Sequence, residues 1–306
     1  MPNLANLAYV ERVNRAIDHI QRNLREPLKL EEVARVACFS PYHFHRIFKA
    51  QVGETLNAFV KRVRLERAVY LMSHRKAPSL TSVALACGFS SSSDFSRNFR
   101  LHYGVPPSKF DLEGFRQDHR TRLQQTVPSS SKRGLLDGLS AGENPDGFIA
   151  LLRDLPPRRV AYLRVWRPFQ AGRVTTAAER MVAWARDRDL ADGQWLGYMW
   201  EDPEIVDMEQ CRYDVGVEVP ADFEERGEVG MMDFPAMKVA EIEMSGPIDL
   251  EQRGIDWLYR TWLPSSGYVP DHQPAFEAWK GIPFAHGESH FELGLQLAVV
   301  DASPIL

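Results

Sequence analysis

Two arginines occupy matching places in a segment that the chain carries twice. Arg46 lies in FSPYHFHRIFKAQVG, residues 39–53, and Arg97 lies in FSSSSDFSRNFRLHYG, residues 89–104. In each copy Phe-Ser comes first, a Phe lies two residues before the Arg, a second Phe lies two residues after it, and a Gly closes the segment. A guanidinium group donates two parallel hydrogen bonds, so each copy presents one side chain suited to a planar pair of acceptors.

The elements that must position these arginines follow one plan. An apolar-patterned segment, LEEVARVA (30–37) or LTSVALA (80–86), precedes a tight turn. A second amphipathic segment then begins at a Ser able to cap it, Ser40 in the first copy and Ser90 or Ser91 in the second. A helix, a turn and a capped helix with a basic outer face form a helix-turn-helix unit. For either copy taken alone, an ordinary amphipathic helix pair is the alternative.

The segment between the two copies predicts how they are used together. TLNAFVKRVRLERAVYLMSH, residues 55–74, contains neither Gly nor Pro. A helix of about 20 residues is roughly 30 Å long, and successive major-groove faces of DNA lie about 34 Å apart. One rigid helix would therefore hold the second helix of each unit, the reading helix, in adjacent major grooves. A single chain could then contact DNA as a symmetric dimer does.

The charge is divided unevenly along the chain. Residues 1–120 contain 19 Lys and Arg against 11 Asp and Glu, whereas the rest contain 18 against 30. The basic part suggests a polyanionic partner that the acidic part would not share. Residues 121–147 are rich in Ser, Gly, Pro and Asn, which is typical of a linker. We therefore expect one domain over 1–120, a linker over 121–147 and a second domain over 148–306.

The composition of the 306-residue chain, 44% hydrophobic and 25% charged, is typical of soluble globular proteins. No run of about 18 apolar residues predicts a membrane span, and the first residues do not resemble a secretory signal. Three widely spaced cysteines suit a reducing cytoplasm. The sequence contains no phosphate-binding Gly loop, nucleophile elbow or CxxC motif. We therefore expect a cytoplasmic protein with no cofactor, no catalytic residues and no membrane contact.

Residues 8–112 resemble the DNA-binding domain of the AraC/XylS family of bacterial transcription regulators. The resemblance is carried by LEEVARVACFSPYHFHRIFKAQVGETLNAFVKRVRLERA and by ALACGFSSSSDFSRNFRLHYGVPPSKF. It implies an all-α domain of two helix-turn-helix units that binds double-stranded DNA. By this resemblance, the residues that would face bases are Tyr42, His45, Arg46, Ser92, Ser93 and Arg97. Arg46 and Arg97 would read guanine, because a guanidinium group matches O6 and N7. The residues better suited to phosphates are Lys49, Lys61, Arg62 and Arg100.

Two differences between the copies affect this expectation. Cys38 stands where the second copy has Gly88, so a turn that requires positive φ would strain the first copy. The second reading helix presents mostly Ser, which makes small contacts of low selectivity. We therefore expect the first helix to carry more of the base specificity.

A second duplication lies within residues 148–300. RRVAYLRV (158–165) resembles MKVAEIEM (237–244), and RYDVGVEV (212–219) matches HFELGLQL (290–297). A helical pattern and a short strand-like run separate the members of each half. Each half therefore predicts strand–helix–strand–strand, and two such halves should pair into one sheet with helices on one face. This is an α+β fold with a groove between the halves.

This part of the chain resembles the GyrI-like effector-binding domain. The resemblance is carried by GYMWEDP, CRYDVGVEV, WLYRTWLPSSGY and PAFEAW. Both parts together resemble the Rob-type arrangement, with the DNA-binding domain first. The resemblance implies a small-molecule effector, a role in multidrug sensing, transcriptional activation and a contact with RNA polymerase. It also implies that a Glu in this domain meets cationic or polar ligands.

Glu277 is the acidic residue that fits this role. It lies between Phe276 and Trp279 in a strand-like run, where an unpaired acid is costly to bury. Aromatic walls with one carboxylate suit a flat or amphipathic cation. The expected ligand-binding residues are Glu277, Trp200, Tyr213, Trp257, Phe276 and Trp279. The alternatives are aromatic packing in the core and an exposed Glu on an edge strand. The alternative function is hydrolysis of reactive small molecules, with Glu277 as a base toward water.

The segment HGESH is a weaker candidate for chemistry. His286, Glu288 and His290 alternate, as metal ligands on one face of a strand would. Gly287 beside them favours a polar loop instead, and we expect no metal site.

Overall fold

The computed structural model describes residues 4–74, 78–126, 140–225, 227–287 and 290–302. The chain forms two compact units, Met1–Phe115 with Glu225–Gly230, and Arg116–Glu224 with Met231–Leu306. The division at Phe115 falls inside one helix, Leu112–Thr126. Residues 121–126 of the expected linker are thus helical, and residues 127–139 lie outside the described part of the chain.

The first unit is helical, as the sequence predicts. Its elements are α1 (Leu4–Arg22), α2 (Leu30–Val36), α3 (Pro41–Val52), α4 (Leu56–His74), α5 (Leu80–Ala86), α6 (Ser92–Tyr103), a 3-10 turn (Pro107–Lys109) and the start of α7 (Leu112–Thr126). Helix α2 packs against α3, and α5 packs against α6. The two copies of the repeat therefore form two helix pairs, and α4 connects them.

The repeated phenylalanines build the same core in both helix pairs. Phe44 and Phe48 of α3 are fully buried, with ring centroids 5.3 Å apart. Phe95 and Phe99 of α6 are fully buried in the same way, with centroids 5.4 Å apart. Phe48 also meets Phe59 of α4 edge-on at 5.5 Å. The buried Phe face fixes which residues of α3 and α6 point outward.

Both reading helices begin and end in the same manner. The Ser40 side chain accepts a hydrogen bond from the His43 backbone N–H at 3.4 Å. In the second copy Ser91 rather than Ser90 is the cap, and it accepts from the Asp94 N–H at 3.1 Å. Each helix is followed by a glycine in the left-handed conformation. The matching caps explain why α3 and α6 each contain 12 residues.

The turns inside the two helix pairs share a backbone conformation but differ in free space. Cys38 has φ of 54° and Gly88 has φ of 79°, so both lie in the left-handed region. A Cβ on Gly88 would lie 2.6 Å from the Leu24 carbonyl oxygen. Cys38 is exposed, and its carbonyl accepts from Arg12 Nη1 at 3.4 Å. The first turn thus tolerates a side chain that the second has no room for.

The second unit contains one antiparallel sheet. The described residues form nine strands: β1 (Leu151–Leu155), β2 (Arg158–Trp166), β3 (Trp195–Met199), β4 (Arg212–Val219), β5 (Gly230–Phe234), β6 (Met237–Gly246), β7 (Tyr268–Pro270), β8 (Ala275–Trp279) and β9 (Phe291–Asp301). Their order is β1-β6-β9-β8-β3-β4-β2-β5, and β7 pairs with β9. The two halves meet where β8 pairs with β3, at the centre of the sheet.

Two helices cover this sheet, one from each half. Helix α8 (Arg173–Arg186) packs against β2 and β4, and α9 (Ile248–Trp257) packs against β6 and β9. A π-helical turn (Leu258–Trp262) and the short α10 (Leu263–Ser266) follow α9. The predicted strand–helix–strand–strand repeats and the α+β class are confirmed. Strands β1, β5 and β7 are additions that the repeat does not contain.

The register of the central strands defines two faces of the sheet. Glu277 pairs with Gly197 and with Leu295, so these three residues share one side, the Glu277 face. Phe276 pairs with Tyr198 and with Gln296 on the other side, the Phe276 face. Helix α9 lies on the Glu277 face, because Gly254 lies directly against Met244 and Leu295. The Phe276 face carries a hydrophobic cluster that includes Tyr162, Tyr198, Phe234 and Phe276.

Candidate functional site

Helix α3 presents its predicted base-contacting side chains to solvent. Tyr42, His45 and Arg46 are exposed, opposite the buried Phe face. Arg46 Nη1 lies 3.3 Å from the Tyr42 hydroxyl, and the guanidinium group lies 5.8 Å from the centre of the Tyr42 ring. The Tyr42 side chain therefore holds Arg46 near one orientation while leaving its other donors available.

Helix α6 presents a different surface. Ser93 and Arg97 are exposed, and Ser92 is half-buried at the start of the helix. Arg97 Nη2 donates to Asp94 Oδ1 at 2.9 Å. Burial opposes the charge of Asp94, but hydrogen bonds from Arg97 and Ser90 outweigh it and lower the pKa of Asp94. Arg97 therefore has an anionic partner on its own helix, whereas the Tyr42 partner of Arg46 is neutral.

Three of the four predicted phosphate contacts, Lys49, Lys61 and Arg100, are exposed. Arg62 differs, because only 8% of it is exposed. It donates to Glu54 at 2.9 Å and to Glu66 at 2.7 Å. Burial alone would lower the pKa of Arg62, but the two carboxylates raise it well above its ordinary value. We therefore correct the sequence-based placement of Arg62 and do not retain it as a phosphate contact.

A hydrogen-bonded cluster lies on the Glu277 face of the sheet. The Tyr213 hydroxyl of β4 donates to Glu277 Oε2 of β8. Trp279 and Glu251 also form hydrogen bonds with the Glu277 carboxyl group. The backbone of Gly197 passes beneath this contact, and a Cβ there would collide with both the Tyr213 hydroxyl and the Glu277 carboxylate. A glycine in β3 is thus a condition for this cluster.

The cluster brings two carboxyl groups together, of which Glu251 is buried and Glu277 is half-buried. Glu251 is 6% exposed, Tyr213 is 7% exposed and Trp279 is 5% exposed. Burial and the neighbouring Glu277 raise the pKa of Glu251 well above its ordinary value. Burial also raises the pKa of Glu277, although hydrogen bonds from Tyr213, Glu251 and Trp279 favour its charged form. We therefore assign the shared proton to Glu251 and the negative charge to Glu277.

Of the other predicted ligand-binding residues, none joins this cluster. Phe276 is fully buried on the opposite face of the sheet. Trp200 packs against the cluster on that face and stacks on Phe234 at 6.3 Å. Trp257 packs against Phe148, with ring centroids 5.9 Å apart. Phe276 is excluded from the cluster because neighbouring residues of a strand point to opposite faces. Trp200 and Trp257 lie outside the strands, and aromatic packing accounts for their positions.

Glu251 is the member of the cluster that sequence reasoning missed. It lies in α9, three residues before Gly254 and seven before Leu258, which are both buried. An acid on the apolar stripe of an amphipathic helix is the signal that could have found it.

The HGESH segment shows no metal-binding geometry in its described part. His286 and His290 lie 3.9 and 3.7 Å from Glu292, and Glu288 lies outside the described residues. No group of three metal-ligating side chains occurs among the residues that the structure describes. The described helices also include none that is both long and apolar enough to cross a membrane.

Two family models match the chain, one in each part. A helix-turn-helix domain model matches residues 33–112. A GyrI-like small molecule binding domain model matches residues 152–296, which include the Tyr213–Glu277 contact.

Three curated relatives each match about a third of the chain. Probable transcription factor PqrA of Proteus vulgaris is 36% identical over 99 residues, which are 32% of this chain and 79% of PqrA. Probable transcriptional regulator LumQ of Photobacterium leiognathi is 38% identical over 105 residues, which are 34% of this chain and 42% of LumQ. Multiple antibiotic resistance protein MarA of Escherichia coli strain K12 is 27% identical over 108 residues, covering 84% of MarA and 35% of this chain. The chain thus spans less than half of LumQ but most of PqrA and MarA.

A solved structure also matches about a third of the chain. An AraC-type transcriptional regulator from Chromobacterium violaceum is 30% identical, with 32% of this chain and 87% of that chain covered and a TM-score of 0.30.

Proposed function

We propose that this chain, which belongs to the AraC-type family of helix-turn-helix transcriptional regulators, adjusts transcription in response to a small cationic or amphipathic molecule. The observation that carries the ligand part is the Glu277 carboxylate, which is held by three hydrogen bonds and has no cation among the groups that set its pKa. The exposed surfaces of α3 and α6 support the DNA part.

In this proposal, α3 and α6 enter adjacent major grooves of one DNA face. Arg46 and Arg97 donate to guanine O6 and N7, and His45, Ser92 and Ser93 contact neighbouring base edges. Lys49, Lys61 and Arg100 contact phosphates and fix the register. We further propose that the chain activates transcription in the cytoplasm, through a contact with RNA polymerase.

The ligand would bind with its cation against Glu277 and its apolar part against Trp279 and Tyr213. Glu277 is half-buried, and a carboxylate with reduced access to water and no cationic partner is destabilised, so a bound cation would offset that cost. Aromatic faces add cation–π attraction of ~0.5–2 kcal/mol. Since Glu251 already carries the proton, the cation would meet one negative charge rather than two.

The test is a selection of bound DNA from random sequence, run on the full chain with and without tetraphenylphosphonium. We expect an enriched motif with two half-sites, and binding of the cation that Glu277→Gln weakens about tenfold or more. Tyr162→Phe, a change on the opposite face of the sheet, serves as the matched control. If no DNA were enriched even at low salt, the proposed DNA-binding function would be refuted, because phosphate contacts alone should give detectable binding under those conditions.

Hydrolysis of a reactive small molecule remains a second candidate function. The observation that favours it is the raised pKa of Glu277 beside the protonated Glu251, which places a base next to an acid. Turnover of an electrophile by the full chain, lost in Glu277→Gln, would support this function. Saturable binding of the small molecule without turnover would favour the proposed role in ligand-dependent regulation.

A further inference from the structure

An open cleft of about 970 Å³ is lined by residues of the Phe276 face and by Trp195 and Trp279 of the Glu277 face. Its lining includes Arg153, Arg158, Glu218, Glu241, Lys280 and Gln296. The pairing register places Glu241 and Gln296 on the same side as Phe276, away from Glu277. Trp279 of the Tyr213–Glu277 cluster also lines this cleft. Arg158 and Gln296, however, lie on the side of Phe276 and away from Glu277, so the inference drawn from them does not rest on the proposed cation site.

Most of the charges in the cleft are already paired. Arg153 Nε lies 2.8 Å from Glu241 Oε1, and Lys280 Nζ lies 3.0 Å from Glu243 Oε2. Gln296 Nε2 donates to Glu241 Oε2 at 2.7 Å. These pairs leave little unbalanced charge on that wall of the cleft.

Arg158 differs from the other cations of the cleft. Its side chain is only 6% exposed, and its one carboxylate partner, Glu218, lies 3.4 Å from Nη1. The guanidinium group lies 4.2 Å from the centre of the Phe276 ring. Its Nε and Nη2 atoms are buried and have no hydrogen-bond partner among the described residues. A buried cation with two unused donors is costly unless something accepts from them.

The two unused donors are the pair that binds a carboxylate edge-on. The same Nε and Nη2 atoms of Arg164 donate to the two oxygens of Asp214 at 2.9 and 2.7 Å. Those of Arg253 donate to Asp146 at 2.8 and 3.0 Å. In Arg158 this edge has no acceptor among the described residues. Burial also lowers the pKa of Arg158, so a bound anion would restore the stability of its charged form.

Gln296 supplies a complementary group in the same cleft. It is 5% exposed, and its Oε1 atom is buried without a hydrogen-bond partner among the described residues. Because Nε2 donates to the Glu241 carboxylate, Oε1 is fixed as an acceptor. The cleft thus offers two donors for an anion and one acceptor for a hydroxyl or amine of the same ligand.

We propose that this cleft binds a small organic anion, whose carboxylate or phosphate oxygens accept both hydrogen bonds from the Nε–Nη2 edge of Arg158. The protein then contains a ligand site of opposite charge preference on each face of the sheet. A guanidinium group can donate two parallel hydrogen bonds to either a carboxylate or a phosphate, so an experiment must distinguish these two kinds of ligand.

The experiment titrates benzoate, phenyl phosphate and benzamidinium into the full chain by calorimetry. We expect saturable binding of at least one of the two anions, whereas benzamidinium should not compete with them. Preference for benzoate would identify a carboxylate as the natural group, and preference for phenyl phosphate would identify a phosphate. If neither anion bound saturably, the proposal would be overturned.

Two variants of Arg158 separate the fork from simple charge. Arg158→Met should weaken anion binding ~10- to 100-fold, because charge-assisted hydrogen bonds are lost. Arg158→Lys keeps the positive charge but cannot donate two parallel hydrogen bonds. Its anion affinity should fall by less than that of Arg158→Met but by well over threefold. Lys280→Gln removes an exposed cation of the same cleft and should change the affinity less than about threefold. An equal loss of anion affinity in Lys280→Gln and Arg158→Met would contradict the proposal, since general electrostatic attraction would then account for the binding.

Thermal unfolding without anion distinguishes a binding residue from a packing residue. Arg158→Met removes a buried, underpaired charge, so the unligated variant should unfold at the same or a higher temperature than the unsubstituted chain. The anion should raise the unfolding midpoint of the unsubstituted chain and leave that of Arg158→Met unchanged. A large drop in the midpoint of unligated Arg158→Met, with anion binding retained in Arg158→Lys at full affinity, would assign Arg158 to packing alone.

Discussion

The turns at Cys38 and Gly88 show how one backbone conformation imposes different demands on the residue. Both have positive φ, but the added Cβ has room only at residue 38. A non-Gly residue in this region costs ~1–2 kcal/mol, of which the entropy of a glycine cancels ~0.5–1 kcal/mol. We predict that Cys38→Gly raises the free energy of unfolding by ~0.5–1 kcal/mol in denaturant titrations. Gly88→Ala should lower it by ~2 kcal/mol or more, and equal effects would refute this account.

Glu251 makes stability depend on pH. Its folded-state pKa lies well above its ordinary value of 4.5, so above pH 4.5 the folded protein keeps a proton that the unfolded chain releases. The free energy of unfolding therefore falls as the pH rises from 4.5 until the folded-state pKa is passed. We predict that Glu251→Gln makes this fall in the free energy of unfolding above pH 4.5 shallower. Denaturant titrations at each pH measure the free energy of unfolding. An unchanged slope against pH in Glu251→Gln would show that Glu251 does not cause the pH dependence.

Arg46 and Arg97 should differ in what they contribute to base reading. Arg97 must give up its contact with Asp94 to reach a base, whereas Arg46 gives up only the neutral Tyr42 hydroxyl. We predict that Arg46→Ala costs ~1–3 kcal/mol at its base and relaxes specificity more than Arg97→Ala does. DNA selections with both variants measure this. Lys49→Ala is the control that should weaken all sequences alike, and the reverse ranking of the two arginines would contradict the prediction.

At the scale of elements, the repeats could be predicted well because their signals are local. Capping Ser, buried Phe pairs and closing Gly specify α3 and α6, and alternation specifies β2, β4, β6 and β9. Side-chain partners brought together from distant parts of the chain could not be predicted. Glu251 of α9 meeting Glu277 of β8 is an example. The Arg62–Glu66 pair, by contrast, has i,i+4 spacing within α4, which the sequence does show. Placing Phe276 and Glu277 in one site overlooked the period of two along a strand.

Helix α4 should act as a ruler between the two reading helices. It is one continuous helix of 19 residues, roughly 28 Å long, and Phe59 anchors it to Phe48 of α3. We predict that inserting about 5 base pairs between the two half-sites reduces the affinity to that of one half-site. Inserting about 10 base pairs returns the two half-sites to the same face of the DNA but leaves them one helical turn farther apart, so it should not restore the affinity. Mobility-shift titrations test both, and tolerance of either insertion would indicate a flexible connection instead.

At the scale of the whole molecule, the basic and acidic residues are segregated along the chain. Residues 1–120 have more basic than acidic side chains, and the rest of the chain has the opposite balance. Nonspecific attraction to DNA should therefore come from the first unit, and the small-molecule binding proposed for the second unit should not compete for the DNA. A ligand can change DNA binding only if it favours one state of the whole chain, and any such coupling acts in both directions.

This reciprocity gives a prediction for the whole chain. If tetraphenylphosphonium changes the DNA affinity by some factor, saturating DNA must change the tetraphenylphosphonium affinity by the same factor. A coupling of ~1–3 kcal/mol corresponds to a factor of ~5–150. Fluorescence anisotropy of labelled DNA measures one direction, and calorimetry with and without DNA measures the other. Glu277→Gln should abolish both effects together, whereas Lys280→Gln should leave both in place. Cation binding with a factor of one in both directions would place the effect of the ligand after DNA binding, at the proposed contact with RNA polymerase.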